Sequence, residues 1–346
     1  MKKHKNVLLL FLIVLCSSCY EKQVEIDSFD DVEEIITYDS IYTDKAEPFG
    51  TITDMKIFNN ILILEHMNDD FQYSFIDVIK KQILCRWGKI GEGPNEFIDF
   101  GSGFFIQDSC LMFSTFAKKE INYVPLKDIL NNESSINIRK EKFPYNVDFR
   151  PRKICPVGDL KMTVGSFEHG LFGVLDSENK IMEANFDFPF LYDEVQGIYK
   201  GSVFQSLVSS NGKNKFVISI LSSDIFQIFE ILDSGIHKTY TSPFRHIPQI
   251  WEKGGRYTID YEKSIAGLMK MATSEKNICF TYSTQSYADA SRIGKVSKEI
   301  LSFDWTGKKV KKYILPFAVS SICLDNNYIY GIRCLGDETI IYRFKL

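Results

Sequence analysis

The sequence predicts an all-β protein: a six-bladed β-propeller whose ring is closed by an N-terminal strand in the last blade. Three observations carry this reading. The first is a hairpin that recurs, with an apolar strand, a polar turn and a second, more apolar strand. It appears as "MKIFNNILILEH", "FFIQDSCLMFS", "RKICPVGDLKMTVG", "LVSSNGKNKFVISI", "ATSEKNICFTYS" and "SSICLDNNYIYGIR". The turns fall near residues 59, 108, 158, 212, 275 and 326, in steps of 49, 50, 54, 63 and 51. A repeat of this length built from strands marks a propeller blade. The second is an outer hairpin that follows the inner one, as in "SFIDVIKKQILCRW", "GVLDSENKIMEANF", "IFEILDSGIHKTY" and "LSFDWTGKKVKKYIL". Its turn residues at the tip and apolar runs on both arms suit the outer pair of a blade. The third is a mismatch at the ends. After "YIYGIR" the chain offers only "TIIYRFKL", whereas "VEEIITY" near the start has no local partner. An open sheet edge invites wrong pairing, so residues 32–38 are expected to supply the fourth, outer strand of blade six.

Composition agrees. Aromatic residues make up 14% of the chain, with 28 Phe, which suits packed sheets. Only "VPLKDILNNE" and "EKSIAGLMKMA" carry helical spacing over more than two turns. A β-sandwich or a pair of β domains is the competing fold. The regular period counts against it, as does the lack of a linker rich in Pro, Gly or Ser.

The N-terminal residues 1–18 read as a secretory signal. Lys2, Lys3 and Lys5 precede an apolar run from Val7 to Leu15, which is too short to span a bilayer. Small residues then lead to Cys19, placed like the lipidated cysteine of bacterial lipoproteins, although Cys16 stands where Leu is usual. The expected organisation is signal 1–18, lipid-anchored tail 19–31 and propeller 32–346. A cleaved signal without lipid is the alternative. Loss of the three signal lysines leaves 38 basic against 45 acidic side chains, a net charge of −7. That balance argues against a nucleic-acid partner, which needs a concentrated basic surface. Six cysteines remain beyond Cys19, with no CxxC or zinc-like spacing, and are read mostly as buried free thiols.

The stretch "RWGKIGEGPNEF" (86–97) resembles the glycine-rich signature, ending in GP-x-EF, of the TolB-like six-bladed propeller lipoproteins common in Bacteroidota. The run "ILSFDWTGKKVKKYILPFAVSSICLDNNYIYGI" is similar to the last two blades of the same family. The resemblance implies the fold and a cell-envelope location: an exported, outer-membrane lipoprotein facing the periplasm or the surface. It implies no catalytic motif.

Gly88, Gly91 and Gly93 raise the question of a phosphate loop. No Gly-Lys-Ser/Thr follows, the dinucleotide pattern fails and no helix comes next, so no nucleotide is expected. The stretch is read instead as the connector from blade one to blade two. Its glycines permit bends and Gly93-Pro94 begins a β-turn. Connectors and the loops between second and third strands share one face of a propeller. Glu92 and Glu96 are therefore ligand-binding candidates at the channel mouth. The longest connector, 241–264, adds Arg245, His246, Trp251, Arg256, Tyr257 and Tyr261. Long loops in compact folds often carry function, and aromatic residues with arginines suit a protein, peptide or glycan ligand. A cap of buried aromatics over the ring is the plainer account.

Glu65-His66 and Glu168-His169 repeat one dipeptide in the second-to-third loops of blades one and three. With Asp69 they form a candidate divalent-metal set, because His and carboxylates are metal-ligand types. The plainer account is solvated loop residues. No GxSxG elbow is present. The expected function is a non-catalytic binding or scaffold protein of the envelope, with its ligand on the connector face. The alternative is a metal-dependent hydrolase or lactonase of the six-bladed type. No cofactor is expected beyond that candidate metal.

Overall fold

The computed structural model describes residues 25–43, 49–67, 69–93, 96–97, 103–133, 135–168, 170–182, 187–190, 192, 195, 199–294, 297–335 and 338–346. The signal, Cys19, Pro94, Asn95 and His169 lie outside the described residues.

Two strands precede the first blade: β1 (Val32–Glu34) and β2 (Tyr38–Thr43). Blade one comprises β3 (Thr51–Phe58), β4 (Ile61–Met67), β5 (Phe71–Asp77) and β6 (Gln82–Lys89). Blade two comprises β7 (Phe104–Gln107), β8 (Cys110–Thr115), β9 (Glu120–Pro125) and β10 (Arg139–Lys142), with helix α1 (Leu126–Leu130) before the last strand. Blade three comprises β11 (Phe149–Val157), β12 (Leu160–Phe167), β13 (Gly173–Leu175) and β14 (Ile181–Met182). Helix α2 (Lys200–Val203) leads to blade four, which comprises β15 (Ser206–Ser210), β16 (Lys215–Ile220), β17 (Phe226–Leu232) and β18 (Gly235–Thr241). A separate hairpin, β19 (Ile250–Lys253) and β20 (Arg256–Ile259), follows. Blade five comprises β21 (Ile265–Thr273), β22 (Asn277–Ser286), β23 (Ser297–Asp304) and β24 (Lys309–Val319), with α3 (Tyr287–Arg292) between its second and third strands. Blade six comprises β25 (Ser321–Leu324), β26 (Tyr328–Leu335) and β27 (Glu338–Lys345), completed by β2.

The first strands β3, β7, β11, β15, β21 and β25 each touch the next, and β25 returns to β3. The sheets thus form a ring around a central channel. Every recurring hairpin of the sequence becomes a first–second strand pair of its blade.

The N-terminal closure is present, one strand later in the chain than residues 32–38. β2 runs antiparallel to β27, from Tyr38 opposite Phe344 to Thr43 opposite Ile340. β1 instead lies parallel to β24 and adds a fifth strand to blade five, with Val32 opposite Lys312. The sequence "VEEIITYDSIYT" contains two short strands, and the first was the wrong one for the closure. The chain just before them is also packed. Ile26 is buried between blades four and five, Phe29 meets Phe303 edge-on at 5.5 Å, and Lys309 Nζ donates to the Ser28 carbonyl at 2.7 Å. Residues 25–31, expected as tail, are therefore docked on the ring.

The segment "EKSIAGLMKMA" is not helical but forms most of inner strand β21. Bulges between Ile265 and Gly267 and between Leu268 and Lys270 interrupt the period-two alternation, and the result imitates helical spacing. Gly267 makes the first bulge feasible: its φ is +63°, and an added Cβ would lie 2.0 Å from the Ser223 carbonyl oxygen. "VPLKDILNNE" does contain a helix, α1.

Apolar side chains fill the wedges between blades. Blades one and two share Ile63, Tyr73, Phe75, Phe104 and Phe113, whereas blades six and one share Leu62, Leu64, Tyr330 and Ile341. Alternate residues of β4 thus face opposite neighbours, as the pleat requires. The six cysteines among the described residues are free; three are buried and Cys334 is exposed.

Candidate functional site

On the connector face, residues 87–93 pack back against residues 96–97. Phe97 N–H donates to the Lys89 carbonyl at 3.0 Å, and Gly91 N–H donates to the Phe97 carbonyl at 3.1 Å. Phe97 is buried between Trp87 at 5.5 Å and Phe113 at 4.9 Å. Glu96 accepts the Gly93 N–H at 2.9 Å and reaches Lys89 at 3.7 Å. A Cβ on Gly91 would lie 2.1 Å from the Glu96 carboxylate, and one on Gly93 would lie 2.9 Å away. These two glycines make room for that carboxylate. Glu96 spends its capacity inside the loop, and Glu92 is left on the surface.

The long connector starts with another knot. Asp224, buried in the second–third loop of blade four, accepts the backbone N–H of Arg245 at 3.1 Å and of His246 at 3.0 Å. His246 Nδ1 lies 3.0 Å from the same carboxylate. Arg245 forms an ion pair with Glu25 of the docked N-terminal segment. Two candidate ligand residues are thus tied to the scaffold. Farther along, Gln249 N–H donates to Ser264 Oγ at 2.8 Å and pins the base of the β19–β20 hairpin. Tyr261 stacks on Tyr287 at 4.6 Å. Tyr257 packs partly against the core of blades three and four. Trp251 is 44% exposed, with Lys253 Nζ 5.9 Å from its ring. Lys253, Arg256 and Tyr257 border a shallow depression of about 600 Å³ together with Tyr199 and Ser202.

The described members of the candidate metal set, Glu65, His66, Asp69 and Glu168, do not converge. Glu65 and His66 are neighbours on β4, so their side chains leave opposite faces of the sheet. His66 Nε2 lies 2.8 Å from Ser74 Oγ, and its ring stacks on Phe49 at 5.0 Å. Burial pushes its pKa down to about 4, outweighing Asp69 nearby. Asp69 accepts the Gly50 N–H at 3.1 Å and lies 3.6 Å from Arg86. Glu168 is exposed at the end of β12 in blade three. Among the described residues, no group of three or more His, Cys, Asp or Glu side chains is placed to hold a metal ion.

Glu65 belongs to a different constellation, one that sequence reading missed. Its Oε2 accepts the Thr53 hydroxyl at 2.7 Å and the Gly103 N–H at 3.2 Å. Burial pushes its carboxyl up to about 7 and Asp54 adds to the rise, against the pull of Thr53 and Lys153. Asp54, on inner strand β3, lies 2.9 Å from Lys153 of β11 and 3.6 Å from Lys56. Burial alone would raise the Asp54 carboxyl, but Lys153 and Lys56 hold it well below the usual carboxylate range. Lys270 of β21 reaches across the channel to the Thr53 carbonyl at 3.2 Å. Above this charged plug a funnel of about 570 Å³ opens among the first–second strand turns. It lies at the opposite end of the inner strands from the connectors. All six inner strands line it, with Lys56, Ile57, Phe105, Gln107 and Leu324 among its walls.

This is a propeller of the TolB-like class, with a plugged channel and one elaborated connector. The family model described as TolB-like 6-blade propeller-like matches residues 30–327, so the chain belongs to that family. Among solved structures it is similar to an exported-protein candidate of Bacteroides fragilis, with a TM-score of 0.56 and 11% identity over 90% of this chain and 94% of that chain. It is also similar to hydrazine synthase of Kuenenia stuttgartiensis, with a TM-score of 0.44 and 12% identity over 84% of this chain and 82% of that one. Raptor of Chaetomium thermophilum gives a TM-score of 0.48 and 10% identity over 89% of this chain and 29% of that chain. At these identities the likeness concerns the fold. No curated protein matches the chain.

Proposed function

We propose that the chain is a cell-envelope lipoprotein, anchored through Cys19, that binds a protein, peptide or glycan partner without catalysing a reaction. The β19–β20 hairpin carries this reading. Among the described residues it is the one blade connector that builds its own two-stranded sheet. It leaves Trp251 exposed beside Lys253 and Arg256. An indole with neighbouring cations offers apolar area, ring stacking and charge-assisted donors together, the usual makings of an interface anchor. The basic start, the apolar run and "SSC" support export and lipidation.

Photo-crosslinking in intact cells tests the reading. A photoreactive residue at Lys253, beside Trp251, should give a discrete adduct in the membrane fraction. The same group at Ile79, 63% exposed on blade one, should give none. Cys19→Ala should move the protein out of that fraction. Equal labelling at both positions removes the binding half of the proposal, and unchanged membrane retention removes the lipid half.

A further inference from the structure

Lys56 stands at the foot of the central funnel with its hydrogen-bonding capacity unspent. Its ammonium lies 3.6 Å from Asp54 Oδ1, beyond hydrogen-bonding distance; that oxygen accepts the Met55 N–H at 2.8 Å, and Oδ2 is held by Lys153 at 2.9 Å. Its other close neighbours are the rings of Phe105 at 5.4 Å and Phe104 at 5.9 Å. The side chain is only 23% exposed. An ammonium carries three donors; Asp54 supplies a counter-charge at 3.6 Å but no hydrogen-bond acceptor, and a partly buried donor without an acceptor is costly. Around it the funnel walls include Phe105, Ile57 and Leu324, and the volume of about 570 Å³ is that of a small-molecule site.

We infer that the funnel binds a small monocarboxylate with an apolar body, its carboxylate on Lys56 and its body against Phe105, Ile57 and Leu324. Lys56 is the one cation lining the funnel among the described residues, with the Asp54 carboxylate beneath it and Asp108 and Asp159 at the turns. Inorganic phosphate carries no apolar body to place on Phe105, Ile57 and Leu324, and it is the more strongly hydrated anion. The site is independent of the connector hairpin, because the inner strands separate the two ends of the channel.

Calorimetric titration with phenylacetate, octanoate, phenylacetamide and inorganic phosphate decides the matter. Both carboxylates should bind one to one. Phenylacetamide and phosphate should bind about tenfold more weakly or worse, the worth of one charge-assisted hydrogen bond. Lys56→Met should reduce carboxylate affinity by a similar factor, and Lys56→Arg should retain most of it. Leu324→Trp, which fills the funnel, should abolish binding of both acids. Failure of both carboxylates to bind overturns the inference. So does equal affinity for phenylacetamide, a comparison made on the wild-type protein and independent of whether any variant folds. Unchanged carboxylate affinity in a folded Lys56→Met protein overturns it as well.

Discussion

The connector from blade one to blade two and the connector from blade four to blade five occupy equivalent places in the repeat and use their polar groups in opposite ways. In the first, Glu96 closes on the Gly93 N–H and Phe97 is buried between Trp87 and Phe113. In the second, Asp224 ties down Arg245 and His246, but the hairpin beyond that knot keeps Trp251 exposed. A loop whose groups satisfy one another specifies a path for the chain. A loop whose base is fixed and whose tip is open specifies a contact. Residue type alone does not separate them, because glycines, carboxylates and aromatics occur in both.

The largest expected effect lies in the first connector. Phe97→Ala removes a ring that is 3% exposed at the junction of blades one and two. Such a truncation costs about 3–5 kcal/mol, to be read from the shift in urea unfolding. A loss below about 1 kcal/mol, the scale of a surface change, would mean that the connector does not hold these blades together.

The next effect concerns Glu65, which grips the far end of the same connector through the Gly103 N–H. Its folded pKa, raised from 4.5 to about 7, makes its contribution full below the unfolded value and lost as pH rises through about 7. His66, lowered from 6.5 to about 4, does the reverse: its contribution is full above its unfolded value and lost as pH falls through about 4. Each shift corresponds to about 3 kcal/mol. Adjacent residues on one strand thus oppose each other between pH 4.5 and 6.5. Wild-type stability should change little across that window. Glu65→Gln should make the protein less stable at pH 5 than at pH 7 by about 2 kcal/mol, and His66→Gln should give the opposite slope. Parallel slopes in the two variants would show that these groups do not control the pH response.

The sequence disclosed the fold far better than the site, for a physical reason. A first–second hairpin is a local object, and apolar alternation around Asn59-Asn60 or Asp108-Ser109 reports it directly. The closing strand is nonlocal, and two adjacent strand-like runs competed for the role. β21 was misread because its bulges convert a period of two into an apparent helical period. Glu65 and His66 looked like a pair because they are adjacent, although strand geometry separates their side chains. Asp54, Lys56, Lys153 and Lys270 escaped notice because they meet only after three blades have closed around the channel. One signal was available. Lys56, Lys153 and Lys270 all lie on the first arm of a recurring hairpin, within a few residues of its turn, and that arm lines the axis.

The smallest expected change in stability belongs to the exposed end of the second connector, and it sharpens the contrast most. Trp251 and Arg256 lie beyond the Gln249–Ser264 clamp, and neither belongs to the buried core. The double variant Trp251→Ala, Arg256→Ala should therefore alter unfolding by no more than about 0.5 kcal/mol, the scale of surface substitutions. The same variant should lose the adduct from a photoreactive residue at Lys253, because an interface anchored by an aromatic ring and a cation depends on a few such side chains. A stability loss comparable to that of Phe97→Ala would make the hairpin a structural cap, like the first connector. Retention of the adduct would shift the contact to another part of the connector face.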